Sequence, residues 1–283
     1  MRWLPVLTAL VVALALVLPA PVALGQQASA ITMIERRFQA ADPPAQAEVL
    51  QVILDFAPGA WTPVHVHGGP AYVTVLEGEM TLRMAGMDQT FAAGEGWIDN
   101  PDEPHAAGNE GAAPARLVVT FVLPKGATPT TVVETGTQAV VPPGPTTFAQ
   151  FRTDAPGLPT PMDLVHRFIE YAPGASSAVH FHPGPNHVTV VEGAVTVRDA
   201  AAERKVDALQ SFVEHAGHVH SAHNMSAVVA RNVAAALVPR GAPYSTVAEQ
   251  PAAPAAAPAR PAPVPAPQPA APAPAPAQLP RSR

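Results

Sequence analysis

At 283 residues the chain is long enough for two domains of ordinary size, and its formal net charge of −6 with no basic cluster argues against nucleic acid as a partner. It has no cysteine, which excludes disulfides, thiolate metal ligands and a lipidated cysteine. Residues 1–30 read as a secretory signal peptide: Arg2, an apolar run from Leu4 to Leu18, then small residues. Cleavage after Gly25 or after Ala30 fits that pattern. The run is short for a membrane span and is followed by Pro19 and Pro21, so removal is expected rather than a retained anchor, with no stable membrane insertion afterwards. The mature protein is therefore expected to be secreted or periplasmic.

Residues 31–126 read as a first all-β domain. Residues 31–48 have little periodicity and look like a lead-in with one edge strand. A β-branched run at 49–56 ends at the Pro58-Gly59 turn, and a His-x-His strand follows at 63–67. Residues 72–76, the Glu77-Gly78 turn and residues 80–84 are expected to form a hairpin. Short strands are expected at 89–91, 97–98 and 117–123, the last ending at Pro124-Lys125-Gly126. Residues 127–147, with an edge strand at 131–133, read as the linker. Residues 148–248 repeat the first domain, with 164–171 matching 49–56. From 249 to 283 the composition collapses to alanine and proline, which cannot bury a core; an extended, disordered tail is expected, either a spacer or surface-binding arm toward the cell envelope or a tolerated low-complexity end. Short strands punctuated by glycine and proline point to β-barrels or sandwiches.

The repeat is the strongest signal. The stretch APGAWTPVHVHGGPAYVTVLEGEM at 57–80 returns as APGASSAVHFHPGPNHVTVVEGAV at 172–195. His65, His67, His105 and Asn109 recur 115 positions later as His180, His182, His220 and Asn224, so no net insertion separates the copies. Alternate residues of a strand face one side, so His-x-His aims two imidazoles at one point. A third from another strand makes a three-nitrogen set suited to Fe, Mn, Zn, Cu or Ni, with positions left open. The expected ligands of a divalent metal ion are His65, His67 and His105 in one copy, and His180, His182 and His220 in the other.

At these residues the chain resembles the cupin superfamily, in particular its two-domain members, the bicupins. The first family motif, G-x5-H-x-H-x3,4-E-x6-G, is matched by Gly59, His65, His67 and Gly78, and by Gly174, His180, His182 and Gly193. The second, G-x5-P-x-G-x2-H-x3-N, is matched by His105 and Asn109, and by His220 and Asn224, with its proline and glycine part loose. The resemblance implies two tandem jelly-roll (double-stranded β-helix) barrels over residues 40–247. It also implies dioxygenase, decarboxylase or isomerase chemistry.

The family's glutamate is missing. Its position falls on Ala71 and Asn186, or with the longer spacing on Tyr72 and His187. Strand parity turns Ala71 and Asn186 inward with the valines, and Tyr72 and His187 outward unless a bulge intervenes. Site one is then three histidines with an empty slot. Site two is three histidines plus an amide oxygen, or four histidines. His218 shares parity with His220 as a further nitrogen donor or proton carrier. Asp99, Asp102 and Glu103 precede His105 without any spacing that singles one out, so no catalytic residue is assigned. Asn109 and Asn224 read as loop supports, and Phe91, Trp97, Met84 and Met87 as core in preference to pocket lining.

Two functions compete. One is a metal-dependent enzyme, oxidoreductase-like, whose cation keeps its full charge among neutral imidazoles and favours small anionic chelating substrates. The other is a non-catalytic exported protein that holds a small ligand or a metal. Metal content and metal dependence separate them.

Overall fold

The structure is a computed structural model and describes residues 28–133 and 142–248. The expected signal peptide up to residue 27, part of the linker and the Ala/Pro tail lie outside the described residues. The described residues contain strands and turns and no helix.

Among the described residues twenty strands follow one another. The first ten are β1 (Ile31–Gln39), β2 (Ala47–Phe56), β3 (His65–His67), β4 (Ala71–Glu77), β5 (Glu79–Met84), β6 (Met87–Ala92), β7 (Gly96–Asp99), β8 (His105–Gly108), β9 (Ala115–Pro124) and β10 (Thr130–Val132). The second ten are β11 (Thr146–Asp154), β12 (Met162–Tyr171), β13 (His180–Phe181), β14 (Asn186–Glu192), β15 (Ala194–Asp199), β16 (Glu203–Asp207), β17 (Ser211–Glu214), β18 (His220–His223), β19 (Ala230–Pro239) and β20 (Thr246–Val247).

They form four five-stranded sheets, two to a barrel. Barrel one is β11-β2-β9-β4-β7 over β10-β3-β8-β5-β6; barrel two is β1-β12-β19-β14-β17 over β16-β15-β18-β13-β20. The expected all-β, two-barrel architecture is present, but its edges are exchanged. The segment 31–48, expected to lead into barrel one, supplies β1, which pairs antiparallel with β12 of barrel two from Ile31↔Glu170 to Gln39↔Asp163. β11 reaches back to β2 of barrel one, from Thr146↔Asp55 to Asp154↔Glu48. Each strand thereby covers an edge that would otherwise present unpaired backbone groups.

The expected hairpin through Glu77-Gly78 is also corrected. β4 and β5 lie in different sheets, so this turn is a corner where the chain crosses the barrel. Gly78 makes the corner with φ +75°, and a Cβ there would sit 2.7 Å from the carbonyl oxygen of Pro114. A corner and a tight hairpin call for the same local residues.

The central strands are buried on both faces, which explains near-continuous apolar runs such as that of β9. Along β2, Leu50 and Phe56 point into the barrel with Val73, Val75, Trp97, Leu117 and Phe121. Val49 and Ile53 point the other way, into a seam shared by the barrels. There Val49, Tyr72 and Val122 pack with Met162, Leu164 and Leu237, and Ile53, Leu76 and Val118 pack with Phe168, Val191 and Val233. Among the residues expected in the first core, Phe91 and Trp97 are there and Met84 packs against it, but Met87 is 73% exposed at the tip of the β5–β6 hairpin.

Candidate metal centre

In each barrel two short strands deliver three imidazoles to one point. His65 on β3 lies directly opposite His105 on β8, with His67 next on the same face of β3. His180 lies opposite His220 in the same way. Ring centroids are 4.4 to 4.8 Å apart in barrel one and 4.4 to 5.3 Å in barrel two. The ligand nitrogens of each trio lie within 4.8 Å of one another.

All six Nδ1 atoms are held by backbone carbonyls. His65 donates to Pro63 (2.8 Å), His67 to Pro129 (3.1 Å) and His105 to Glu103 (2.8 Å). His180 donates to Ala178 (2.8 Å), His182 to Tyr244 (2.8 Å) and His220 to His218 (2.9 Å). A carbonyl can only accept, so each bond places the proton on Nδ1 and leaves the Nε2 lone pair for a cation. The donor set fits a divalent metal on chemistry and on orientation. Burial lowers the pKa of His65 to about 4 and also lowers that of His180, which keeps both rings neutral, the form a metal needs.

The fourth position departs from expectation. Ala71 and Asn186 do point inward, as parity required. The Asn186 amide nitrogen donates to Glu214 Oε2 at 2.7 Å and to Tyr244 Oη at 3.0 Å, so this side chain braces a carboxylate, while its Oδ1 is buried without a hydrogen-bond partner and stays free as a donor to a cation. His187 is no ligand. The register shift in β14 comes later, between Val190 and Glu192, so His187 faces the seam against Phe151. His218 is half exposed and lies 3.5 Å from Asp199, outside the site; its contribution is the carbonyl that holds His220.

The carboxylates come from the neighbouring strand. On β7 Asp99 sits opposite Ala71, and on β17 Glu214 sits opposite Asn186. Asp99 lies 3.5 Å from His105 Nε2 and 3.8 Å from His67 Nε2, and its Oδ1 accepts the Trp97 indole N–H at 2.9 Å. Glu214 lies 2.9 Å from His220 Nε2 and 3.0 Å from His182 Nε2. Burial works against its charge, but the two imidazoles outweigh it and hold the carboxyl well below the usual range. His220 is likewise raised by Glu214 against the cost of burial. A signal for these residues was present: of Asp99, Asp102 and Glu103, only Asp99 keeps an acid 115 positions on, the other two becoming Gly217 and His218.

Each site opens into a cavity inside its barrel, about 280 Å3 in barrel one and about 320 Å3 in barrel two. The walls differ. Where barrel one places Val52, Phe56 and Leu117, barrel two has Arg167, Tyr171 and Asn232 at the matching positions. Arg167 stacks 3.9 Å over the Tyr244 ring and pairs with Glu35 of β1, so the exchanged strand contributes to the second cavity. Asn109 and Asn224 support the loops, each donating to two backbone carbonyls.

A comparison with curated proteins returned no match. Among solved structures the chain is similar to AerE from Microcystis aeruginosa, at 13% identity over 72% of this chain and 97% of that one, with a TM-score of 0.44. It is similar to oxalate decarboxylase from Lactobacillus farciminis in a formate complex, at 14% identity over 72% and 81%, with a TM-score of 0.47. It is also similar to oxalate decarboxylase from Bacillus subtilis, at 12% identity over 77% and 80%, with a TM-score of 0.47. Such likenesses are too low to carry an activity across. The cupin-domain profile matches residues 52–121 and 167–251, one match to each barrel and together more than half of the sequence, and the chain therefore belongs to the cupin family as a two-domain member.

Proposed function

We propose that this is an exported, metal-dependent bicupin acting on small anionic substrates that chelate through oxygen, with chemistry of the oxygenase, decarboxylase or isomerase type in barrel one. The observation that carries the reading is the set of six Nδ1–carbonyl bonds, which turns every Nε2 lone pair inward. When bound, a divalent metal supplies Lewis acidity at a coordinated oxygen and, if redox-active, access to dioxygen.

The chain's own residues do the rest. His65, His67 and His105 would hold the cation, at the point where their Nε2 atoms face the cavity. The apolar wall, from Val52 through Phe56 and Leu117 to Phe121, packs against the body of the substrate and displaces water. Asp99 is the buried carboxylate facing that space. Its Oδ1 is tied to Trp97, which leaves Oδ2 to accept or return a proton on the substrate. Among the described residues the wall of this cavity holds no lysine or arginine, so a bound cation would be what meets the substrate charge.

Elemental analysis of the purified mature protein, followed by turnover assays on keto-acids and enolisable acids, tests this reading. Stoichiometric metal is expected, with turnover lost on chelation. Asp99→Asn should retain metal and lose about 100-fold or more in kcat. Bound metal and ligand without turnover would instead make the protein a carrier, and an absence of metal would reject the reading.

A further inference from the structure

Resting on the reading that the histidine trios hold metal, we propose that Glu214 is a fourth protein ligand in barrel two, delivered from the strand opposite the one that carries Asn186, while its counterpart Asp99 stays off the metal in barrel one. The chain then carries one four-ligand site and one three-ligand site.

The geometry separates the two carboxylates. Ligand atoms bonded to one metal at about 2.1 Å lie about 3.0 Å apart along an octahedral edge and about 3.4 Å apart along a tetrahedral one. Each Glu214 oxygen meets the octahedral value once, Oε1 at 2.9 Å from His220 Nε2 and Oε2 at 3.0 Å from His182 Nε2, with His180 outside that contact. Its oxygens therefore already stand at the separation of neighbouring ligands. Asp99, at 3.5 and 3.8 Å, exceeds both values.

Three further differences favour the same division. Asp99 is one methylene shorter. It is tied to the Trp97 N–H, whereas the matching residue in barrel two, Phe212, has no donor to hold Glu214 back. The residue across the ladder from Asp99 is Ala71, which has no polar group, whereas Asn186 donates to Glu214 Oε2 and fixes the carboxylate beside the rings. An amide hydrogen bond of this kind is how ligating carboxylates are oriented from behind the metal.

The consequence is chemical. An anionic oxygen donor cancels part of the metal charge, fills one open position and shifts preference toward harder cations such as Mn2+ or Fe2+. Barrel two becomes the more closed site and barrel one the more open.

The test uses the full mature chain in two backgrounds. His65→Ala with His67→Ala leaves barrel two alone, and His180→Ala with His182→Ala leaves barrel one alone. Each is stripped and titrated with Mn2+, and water-proton relaxation counts the waters on bound Mn2+. Barrel two is expected to hold one water fewer than barrel one. Glu214→Gln should weaken Mn2+ in barrel two by about 100-fold and add one bound water, whereas Asp99→Asn should change Mn2+ affinity in barrel one by less than about threefold and leave the water count alone. Asp99→Glu, a gain that needs no loss of fold, should remove one water from barrel one and tighten Mn2+. Equal water counts in the two backgrounds, or a Glu214→Gln protein with unchanged count and affinity, would overturn the proposal while leaving the histidine sites standing. Failure of both backgrounds to bind any metal would instead overturn the reading beneath it.

Discussion

His166 Nδ1 lies 2.9 Å from the hydroxyl of Thr74 across the seam between the barrels, and its Nε2 lies 2.8 Å from Thr120. The matching contact in the other direction is Thr189 donating to Gln51 at 2.6 Å, since Gln51 and Thr74 are the repeat counterparts of His166 and Thr189. The seam is thus built around two pseudo-equivalent polar pairs, one using an amide and the other an imidazole. Burial lowers His166 to about 3 and His187 to about 4, so both are neutral in the folded chain. The unfolded chain takes up these protons near pH 6.5, so stability is full above that pH and falls as pH drops toward the folded values. At pH 5 each ring costs about 2 kcal/mol. Replacing His166 by Gln, as the seam already does at Gln51, should shrink the stability difference between pH 7 and pH 5 by about that amount in urea titrations. An unchanged difference would show that the ring is protonated in place.

Asn109 makes three bonds from a fully buried side chain: to the carbonyls of Phe56 and Ala113, and from the Gly111 N–H. Asn109→Ala strands all three backbone groups, and a loss of about 3 kcal/mol is expected. Because the side chain touches none of the histidines, the metal stoichiometry of the folded fraction should stay at the wild-type value. Thermal melts with and without added metal check both statements.

The cavity walls predict a difference in ligand preference. In barrel one, alkyl hydroxamates of rising chain length should bind about fourfold more tightly for each added methylene until the cavity is filled, the value of burying about 0.8 kcal/mol per methylene. Leu117→Asn, copying Asn232 of barrel two, should flatten that series. Titrations in the barrel-one-only background measure it, and a slope that survives the substitution would place the alkyl chain elsewhere.

If the chain is exported as proposed, the structure favours one cleavage position. Ser176 N donates to the carbonyl of Ala28 at 2.9 Å and Ala30 N donates to Ser176 at 3.0 Å, while Ser29 and Ala30 line the second cavity. Cleavage after Ala30 would remove these contacts, whereas cleavage after Gly25 keeps them. The exported protein should begin at Gln26, which intact-mass analysis reads directly; a start at Ile31 would show that the contacts are dispensable.

Much of this was legible in the sequence because it is periodic. The 115-residue offset, the His-x-His alternation of β3 and the valine alternation of β4 and β14 were enough to group the six histidines and to turn Ala71 and Asn186 inward. What escaped was pairing across strands. Asp99 is one acid among three, and Glu214 draws no notice, until β7 and β17 are laid beside β4 and β14, since a ladder neighbour is distant in sequence. The Glu77-Gly78 corner escaped because turn chemistry does not say which sheet the next strand joins. The exchange of β1 and β11 escaped for the same reason: an edge strand's own residues do not name its partner.

That exchange carries the last prediction. β12 has β19 on one side and β1 on the other, and Phe38 of β1 enters the seam beside Leu164. Removing residues 28–39 from the mature chain unpairs the outer edge of β12, exposes its backbone to water, takes Thr32 from the second cavity and takes from Arg167 its partner Glu35. If domains followed sequence order, this deletion would injure barrel one. The pairing requires the opposite: hydrogen exchange should accelerate along β12 in barrel two, while β2, still covered by β11, keeps its protection. Metal affinity should fall at His180, His182 and His220 before it falls at His65, His67 and His105, because only the former barrel has lost a strand. Faster exchange confined to β2 would show that β1 belongs energetically to barrel one despite its hydrogen bonds to β12.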